Sequence, residues 1–150
     1  MLYRLSCLGI VIVVLASSLA LSSQQDVNRS REDHASKVKA LLKQRHEVLS
    51  ARLEMVVVLA NRGKMSQADL INARDDAAAA ELELALPQDR RIEVLKSRVE
   101  NLKAGEEYFT ALKLQAKASE VDVLAATSRR LLAEIQREQF LASLNPDQAR

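Results

Sequence analysis

The sequence predicts an all-α fold: two tandem antiparallel helical hairpins, giving four helices in a coiled-coil-like bundle, behind an N-terminal signal or anchor segment. The first observation behind this prediction is composition. Leu, Ala, Glu, Lys and Arg dominate, Gly and Pro together number five, and aromatic residues make up 3% of the chain. This balance is typical of long helices. The second observation is an internal repeat with a period of 53 residues.

The repeat consists of fourteen identities that align without a gap. A fixed period of this kind indicates one helix-turn-helix unit used twice. We therefore predict one helical domain over residues 34–144, with repeat 1 at about 34–86 and repeat 2 at about 87–144. By their numbers in the first copy, the identical positions are Leu42, Lys43, Arg45, Glu47, Leu49, Ala51, Glu54, Leu59, Lys64, Ser66, Asp69, Ala73, Ala80 and Glu81.

Residues 1–23 have the pattern of an export signal. Arg4 precedes an apolar stretch that ends at Leu21, and Ser18-Leu19-Ala20 is a candidate cleavage site. The alternative is an uncleaved inner-membrane anchor, since this stretch is at the lower limit for crossing a bilayer. Both alternatives predict an exported protein of the periplasm or cell envelope, which contacts the membrane only through residues 1–23 if they are retained.

The charge and cysteine content argue against nucleic-acid binding and against disulfides or thiolate metal sites. The formal net charge is +2 with the two signs interspersed, so we expect no basic face and no nucleic-acid partner. Cys7 is the only cysteine and lies inside the leader, which leaves the mature chain without a thiol for a disulfide or a metal. We also predict a polar linker at residues 24–33 and a tail at residues 145–150.

A glycine, a serine and a proline predict the helix boundaries of repeat 1. The first helix is expected to end near Arg62, because Gly63 readily takes the left-handed conformation found after helix ends. The second helix should begin at Ser66 and reach about Ala85, and Pro87 then prevents it from continuing.

In repeat 2, Gln88-Asp89 offers a start for the third helix. The second turn is expected at Ala116-Lys117-Ala118, where no glycine corresponds to Gly63. The third and fourth helices could therefore run on as one bent rod, although Ser119 and Asp122 favour a break.

Each helix has an apolar stripe at three- and four-residue steps, which predicts its buried face. The stripes are Val38, Leu42, Leu49, Leu53, Val56 and Ala60 in the first helix, then Leu70, Ala73, Ala77, Ala80 and Leu84 in the second. They continue as Ile92, Leu95, Val99, Leu102, Phe109 and Leu112 in the third helix and as Val121, Leu124, Leu131 and Ile135 in the fourth. Tyr108-Phe109 is expected to be an aromatic plug in the core. Arg45 and Arg98 lie beside the stripes, so their stems should pack while their heads reach water or a Glu.

No enzyme motif is present, and we predict a non-enzymatic protein without a cofactor or metal. His34 and His46 are far apart and lie in no metal-binding motif. Asp75-Asp76 are adjacent, so their carboxylates point to different helix faces. They are expected to be solvated surface residues.

The hairpin tips are the predicted contact sites, because exposed loop tips often carry binding residues. Both tips should lie at the same end of the molecule, since short turns make successive helices antiparallel. Ser66 and Asp69 fit a capping box, and so do Ser119 and Asp122. Capping alone does not explain the matching lysines of the two tips. The predicted contact residues are Gly63, Lys64, Met65, Ser66, Asp69, Lys117, Ser119 and Asp122.

The first tip, Gly63-Lys64-Met65-Ser66-Gln67-Ala68-Asp69-Leu70-Ile71-Asn72-Ala73, resembles the turn motif of TolC-like outer-membrane efflux proteins. The second tip, from Ser119 to Ala126, resembles the same run without its Gly. The resemblance covers the turn motif only. In that family these turns form the periplasmic tip of a helical tunnel and contact the adaptor's hairpin. The resemblance therefore implies a contact role for Gly63, Ser66, Asp69, Ser119 and Asp122.

The leading hypothesis is an exported helical protein that binds other envelope proteins, which have helical surfaces, through its hairpin tips or coiled-coil faces. If the resemblance reflects function, the protein is efflux-associated. The alternatives are a small periplasmic chaperone or stress sensor, and a structural coiled-coil spacer. All three predict a homo-oligomer, expected to be a dimer, because thin Ala-rich cores often need a partner.

Overall fold

Four α-helices account for nearly all of the described chain. The structure is a computed structural model that describes the backbone of residues 6–144 and the side chains of residues 31–144. The helices are α1 (Ser6–Asn61), α2 (Gln67–Leu82), α3 (Gln88–Leu114) and α4 (Glu120–Leu144), and residues 6–144 contain no strand. The all-α class with four helices is therefore confirmed.

Helix α1 includes residues 24–33, the segment that we expected to be a linker. No Gly or Pro occurs between Gly9 and Gly63 to stop a helix there. The predicted signal or anchor segment, residues 1–23, lies outside the residues whose side chains are described, and so does the tail at 145–150. No helix within the described residues is long and apolar enough to cross a membrane.

The chain divides into two compact units after Leu41. The described part of the first unit belongs to α1, and its side chains at residues 31–40 are exposed. The second unit begins at Leu42 and contains the end of α1 together with α2, α3 and α4. The contacts and surfaces described below belong to this second unit.

Polar contacts fix the same register in both hairpins. In the first, Arg45 donates to Glu83, and Arg52 Nη1 lies 2.6 Å from Asp76 Oδ2. Because Glu83, just after α2, pairs with an earlier residue of α1 than Asp76 does, the two helices are antiparallel. In the second hairpin, Arg98 Nη1 donates to Gln136 Oε1 at 2.6 Å. Arg98 and Gln136 are the repeat equivalents of Arg45 and Glu83, so the repeat preserves the helix register as well as the sequence.

The two hairpins pack together through α2 and α3. Arg98 Nε lies 2.6 Å from Asp75 Oδ1, and Asn101 Nδ2 donates to the carbonyl oxygen of Ile71 at 2.9 Å. A Cβ added to Gly105 would lie 3.0 Å from Cγ2 of Ile71. The glycine therefore allows α3 to approach α2 closely at this point.

The core is small, and the three alanines of the predicted α2 stripe, Ala73, Ala77 and Ala80, are buried in it. Additional buried positions not in the predicted stripes are Ile71, Asp75, Val94 and Gly105. Tyr108 and Phe109 make an edge-to-face contact with ring centroids 5.4 Å apart, but both are only half-buried, so the expected core plug is wrong. The buried apolar residues are Val56, Ile71, Ala73, Ala77, Ala80, Val94, Leu95, Val99, Leu102, Ala126 and Ala133.

The predicted stripe of α4 is wrong. The four residues assigned to its buried face, Val121, Leu124, Leu131 and Ile135, are all exposed. Ala126 and Ala133 are buried instead. They are the repeat equivalents of Ala73 and Ala80 of α2, which are also buried. Ala133 packs against Val99 and Leu102 of α3, its hairpin partner, where a small side chain lets the helix axes approach closely.

Candidate functional site

The first hairpin tip is a Schellman turn that ends α1. Gly63 has φ +67°, its N–H donates to the carbonyl of Ala60 at 2.9 Å, and the N–H of Lys64 donates to that of Leu59 at 2.9 Å. These two bonds satisfy carbonyls that the helix end would otherwise leave without partners. The predicted role of Gly63 in ending α1 is confirmed.

The second tip repeats this turn without the glycine. Ala116 has φ +56°, its N–H donates to the carbonyl of Lys113 at 2.9 Å, and the N–H of Lys117 donates to that of Leu112 at 2.9 Å. The alternative of one bent rod through α3 and α4 is therefore wrong. The matching lysines each supply the backbone N–H that closes the turn, and their side chains are exposed.

A capping box follows each turn. Ser66 Oγ accepts the N–H of Asp69 at 3.1 Å, and Asp69 Oδ2 accepts the N–H of Ser66 at 3.0 Å. In the second tip, Ser119 Oγ accepts the N–H of Asp122 at 3.2 Å, and Asp122 Oδ2 accepts the N–H of Ser119 at 2.8 Å. Both capping boxes are therefore present as the sequence predicted.

These bonds stabilise the ionised carboxylates. Hydrogen bonds from the side chain and then the backbone of Ser66 lower the pKa of Asp69 below its usual range. Hydrogen bonds from the backbone and then the side chain of Ser119 lower the pKa of Asp122. Two of the predicted contact residues in each tip are thus occupied in building the turn.

The two tips point the same way but are staggered. The α2–α3 contacts place the first tip beside α3 near residue 108, whereas α3 continues to Leu114 and its turn follows. The second tip therefore lies about ten residues, or about 15 Å, beyond the first. The structure places the predicted tip residues in two separate small surfaces, each with an exposed serine and an exposed lysine. Met65, beside Ser66, is half-buried.

An exposed apolar surface lies on α4, where the sequence predicted a buried face. Its residues occupy an arc of about 100° around the helix and extend along it for about 21 Å, at a rise of 1.5 Å per residue. Their exposures are 72% for Val121, 59% for Leu124, 45% for Leu131, 53% for Leu132 and 52% for Ile135. We call these five residues the α4 outer face.

The repeat explains why this face is apolar. Leu124 is the equivalent of Ile71, which is 2% exposed because it packs against Gly105 of α3. In repeat 1 this side of α2 is covered by the next helix of the chain. In repeat 2 the described chain has no next helix, so Leu124 remains 59% exposed. Comparing the two repeats position by position could have revealed this from the sequence.

A cluster of charged side chains joins α2, α3 and α4. Asp75, which is 7% exposed, lies 2.6 Å from Arg98 Nε and 2.7 Å from Arg129 Nη2. The expectation of a solvated surface is therefore wrong for Asp75, although its neighbour Asp76 does point to another face and pairs with Arg52. The cluster connects α2 with α3 and α4, and we assign it a structural role.

A shallow groove of about 440 Å³ runs between α1, α2 and α3. Its lining includes His46, Ser50 and Asn101. His46 Nδ1 and Asn101 Oδ1 are buried there without a hydrogen-bond partner among the described residues. His34 lies in the other unit and is exposed. The groove thus offers buried polar atoms without partners in the described part of the chain, and it does not bring the two histidines together, because they lie in different units. Comparison of the chain with protein-family models, curated proteins and solved structures finds no match.

Proposed function

We propose that this protein is a non-enzymatic binding protein of the cell envelope, and that its α4 outer face binds a helix of a partner protein. The observation that carries the proposal is the exposed apolar arc formed by Val121, Leu124, Leu131, Leu132 and Ile135. Spacings of three, four and seven residues suit a helix lying along α4, since such spacings put side chains on one face. Export to the envelope rests on the leader pattern of residues 1–23 alone.

The structure of the tips favours the outer face over the tips as the main contact. The serine and aspartate of each tip are engaged in its capping box. Substituting them would damage the turn whether or not a partner binds there. The α4 outer face is different, because its side chains make no comparable contribution to the fold and burying them would remove a large apolar area from water.

In-cell photocrosslinking with identification of the captured proteins by mass spectrometry tests the proposal. A photoreactive residue at Leu124 is expected to capture a defined protein, and Leu131→Gln in the same chain should abolish that capture. The matched control places the photoreactive residue at Ala104, which is also exposed but lies on α3, outside the α4 outer face.

A third crosslinking position, at Met65 of the first tip, separates the alternatives. Capture of an efflux adaptor or channel component from Met65, with none from Leu124, would replace the outer-face proposal by the efflux-associated function. Capture of many unrelated proteins from Leu124 would indicate a chaperone. Absence of any capture from all three positions would leave the structural spacer and overturn the proposal.

A further inference from the structure

The outermost helix on the other side of the second unit also exposes apolar side chains. Val48 and Met55 of α1 are each 61% exposed, and they lie two helical turns apart on one side of the helix. We call these two residues the α1 outer face. Val48 is the repeat equivalent of Asn101, and Met55 is the equivalent of Tyr108. Their counterparts belong to the side of α3 that contacts α2.

Each side of the α2–α3 contact therefore has a repeat-equivalent surface that is exposed elsewhere in the molecule. α4 presents the equivalent of the α2 side, and α1 presents the equivalent of the α3 side. Within one chain, Asn101 donates to the backbone of Ile71 at 2.9 Å. Moving Asn101 back by one repeat gives Val48, and moving Ile71 forward by one repeat gives Leu124. Both replacements are apolar and exposed.

We infer that the partner of the α4 outer face is a second copy of this chain, whose α1 outer face packs there as α3 packs on α2. This inference rests on the proposed function. In the shared antiparallel register, Val48 of the second copy lies opposite Leu124, and Met55 extends the contact towards Val121. Val48 and Met55 thus face Leu124 and Val121, where the contact inside the chain has the hydrogen bond from Asn101 to Ile71.

The two repeats differ at one position in a way that should hold two copies further apart than α2 and α3 are held within the chain. Gly105, which lets α3 approach Ile71, has Arg52 as its equivalent in α1. The Arg52 guanidinium is held by Asp76 of its own hairpin at 2.6 Å, so only its stem faces outward. The larger Leu and Val side chains of α4 fill the extra distance. The association is therefore expected to be reversible, and weaker than the covalently linked α2–α3 packing.

This contact is heterologous, because each copy uses one surface to bind and a different surface to be bound. Repetition of such a contact produces a ring when the rotation closes and an open chain of copies when it does not. The expected assembly therefore grows with protein concentration beyond two copies, and it stops growing only if a ring closes. Analytical ultracentrifugation of the full chain should show this growth, and Leu124→Gln should reduce it.

Crosslinking between two differently labelled copies tests the inference. All chains carry Cys7→Ser, which removes the only native thiol. A Val48→Cys chain is mixed with a tagged Leu124→Cys chain and treated with a short bismaleimide. A heterodimer can then form only between copies. The matched control is the pair Glu47→Cys and Ala104→Cys, because both residues are exposed and Ala104 lies on α3, outside the α4 outer face.

The expected result is a heterodimer from Val48→Cys and Leu124→Cys that exceeds the control pair severalfold. Crosslinking of Leu124→Cys only to itself would overturn the inference in favour of a two-fold α4–α4 contact. Equal yields from both pairs would also overturn it. If these mixtures give no specific product while photocrosslinking at Leu124 captures a different protein, the inference fails and the proposed function stands. If Leu124 captures nothing at all, both fail.

Discussion

At the scale of single residues, Gly63 and Ala116 occupy the same position in two copies of one turn. Both have positive φ, at +67° and +56°, and both turns use the same pair of backbone hydrogen bonds. For a residue with a Cβ, the left-handed conformation costs about 1–2 kcal/mol. The bonds around Ala116 are therefore strong enough to hold an alanine where glycine would be relaxed.

Ala116→Gly is expected to raise the free energy of unfolding by about 1 kcal/mol, because it removes the Cβ from a left-handed position. Urea denaturation followed by far-ultraviolet circular dichroism measures the change. No gain in stability at this site would contradict the assigned turn.

Two matched variants control for the general effect of glycine. Ala104→Gly, at an exposed position in the middle of α3, should lower the free energy of unfolding by about 1 kcal/mol. Gly63→Ala should also be destabilising, because it places a Cβ at φ +67°. No atom lies within 4 Å of that added Cβ, so the effect would come from the backbone conformation alone.

At the scale of the helices, Asp75 joins α2 to α3 and α4. Its side chain is 10% exposed and that of Arg98 is 13% exposed, so this pair is largely desolvated. Asp75→Ala is expected to lower the free energy of unfolding by about 3 kcal/mol, because it leaves a buried guanidinium without its carboxylate. Equilibrium denaturation of the full chain measures this loss.

The adjacent residue provides the control. Asp76 pairs with Arg52 at side-chain exposures of 44% and 48%. Asp76→Ala removes the same chemical group one residue away, and it should cost at most about 0.5 kcal/mol because an exposed pair contributes little. Similar losses from the two variants would show that Asp75 does not hold the helices together.

The capping boxes predict how the starts of α2 and α4 respond to acid. The pKa values of Asp69 and Asp122 are lowered in the folded chain, so the unfolded chain binds protons more readily. Their contribution to stability is present above the unfolded pKa of about 3.9 and is lost as the pH falls through the lower folded values. Urea denaturation at pH values from 6 downwards should show stability falling in this window.

The double variant Asp69→Asn, Asp122→Asn should be less stable at pH 6 and should depend less steeply on pH below about 4. Asp89→Asn, in the first turn of α3, controls for removing a carboxylate from a helix start that has no side-chain cap. An unchanged pH dependence in the double variant would exclude the capping carboxylates as its source.

At the scale of the whole molecule, the equivalent residues Ile71 and Leu124 are both large and aliphatic, but a neighbouring helix covers only Ile71. In dilute solution, Ile71→Ala should lower the free energy of unfolding by about 3 kcal/mol, as expected for a buried aliphatic side chain. Leu124→Ala should change it by no more than about 0.5 kcal/mol. A large loss from Leu124→Ala under monomeric conditions would mean that the α4 outer face is covered within its own chain.

Local features were predicted well because their causes lie within a few residues. Gly63 ends α1, Pro87 precedes α3, and Ser66 and Ser119 cap the helices that follow. Each of these depends on backbone geometry that the residue itself favours. The stripe of α4 was predicted wrongly because choosing the largest apolar residues assumes that they face the core. Comparison with Ala73 and Ala80 would have identified Ala126 and Ala133 instead.

The ion pairs of Asp75 and the stagger of the two tips could not be predicted from neighbouring residues in the sequence. Arg98 is 23 residues from Asp75 along the chain, and Arg129 is 54 residues away. No rule of sequence spacing connects Asp75 with these two arginines. Asp75 was predicted to be a surface residue because it is adjacent to Asp76. The stagger of the tips likewise depends on the register between α2 and α3, which Asn101 and Gly105 set through contacts with Ile71.

The C-terminal end of α3 and the start of α4 extend beyond α2. This hairpin can therefore change length while its contacts with α2 are kept. Removing seven residues from each of these two segments, while keeping Gln115 to Ser119, would preserve the helical faces and draw the tip back by about 10 Å. A series of shorter and longer α3–α4 hairpins would then vary the distance from the bundle to the tip in known steps. If the tip contacts another protein, comparing hairpins of different lengths would show how far from the bundle that protein lies.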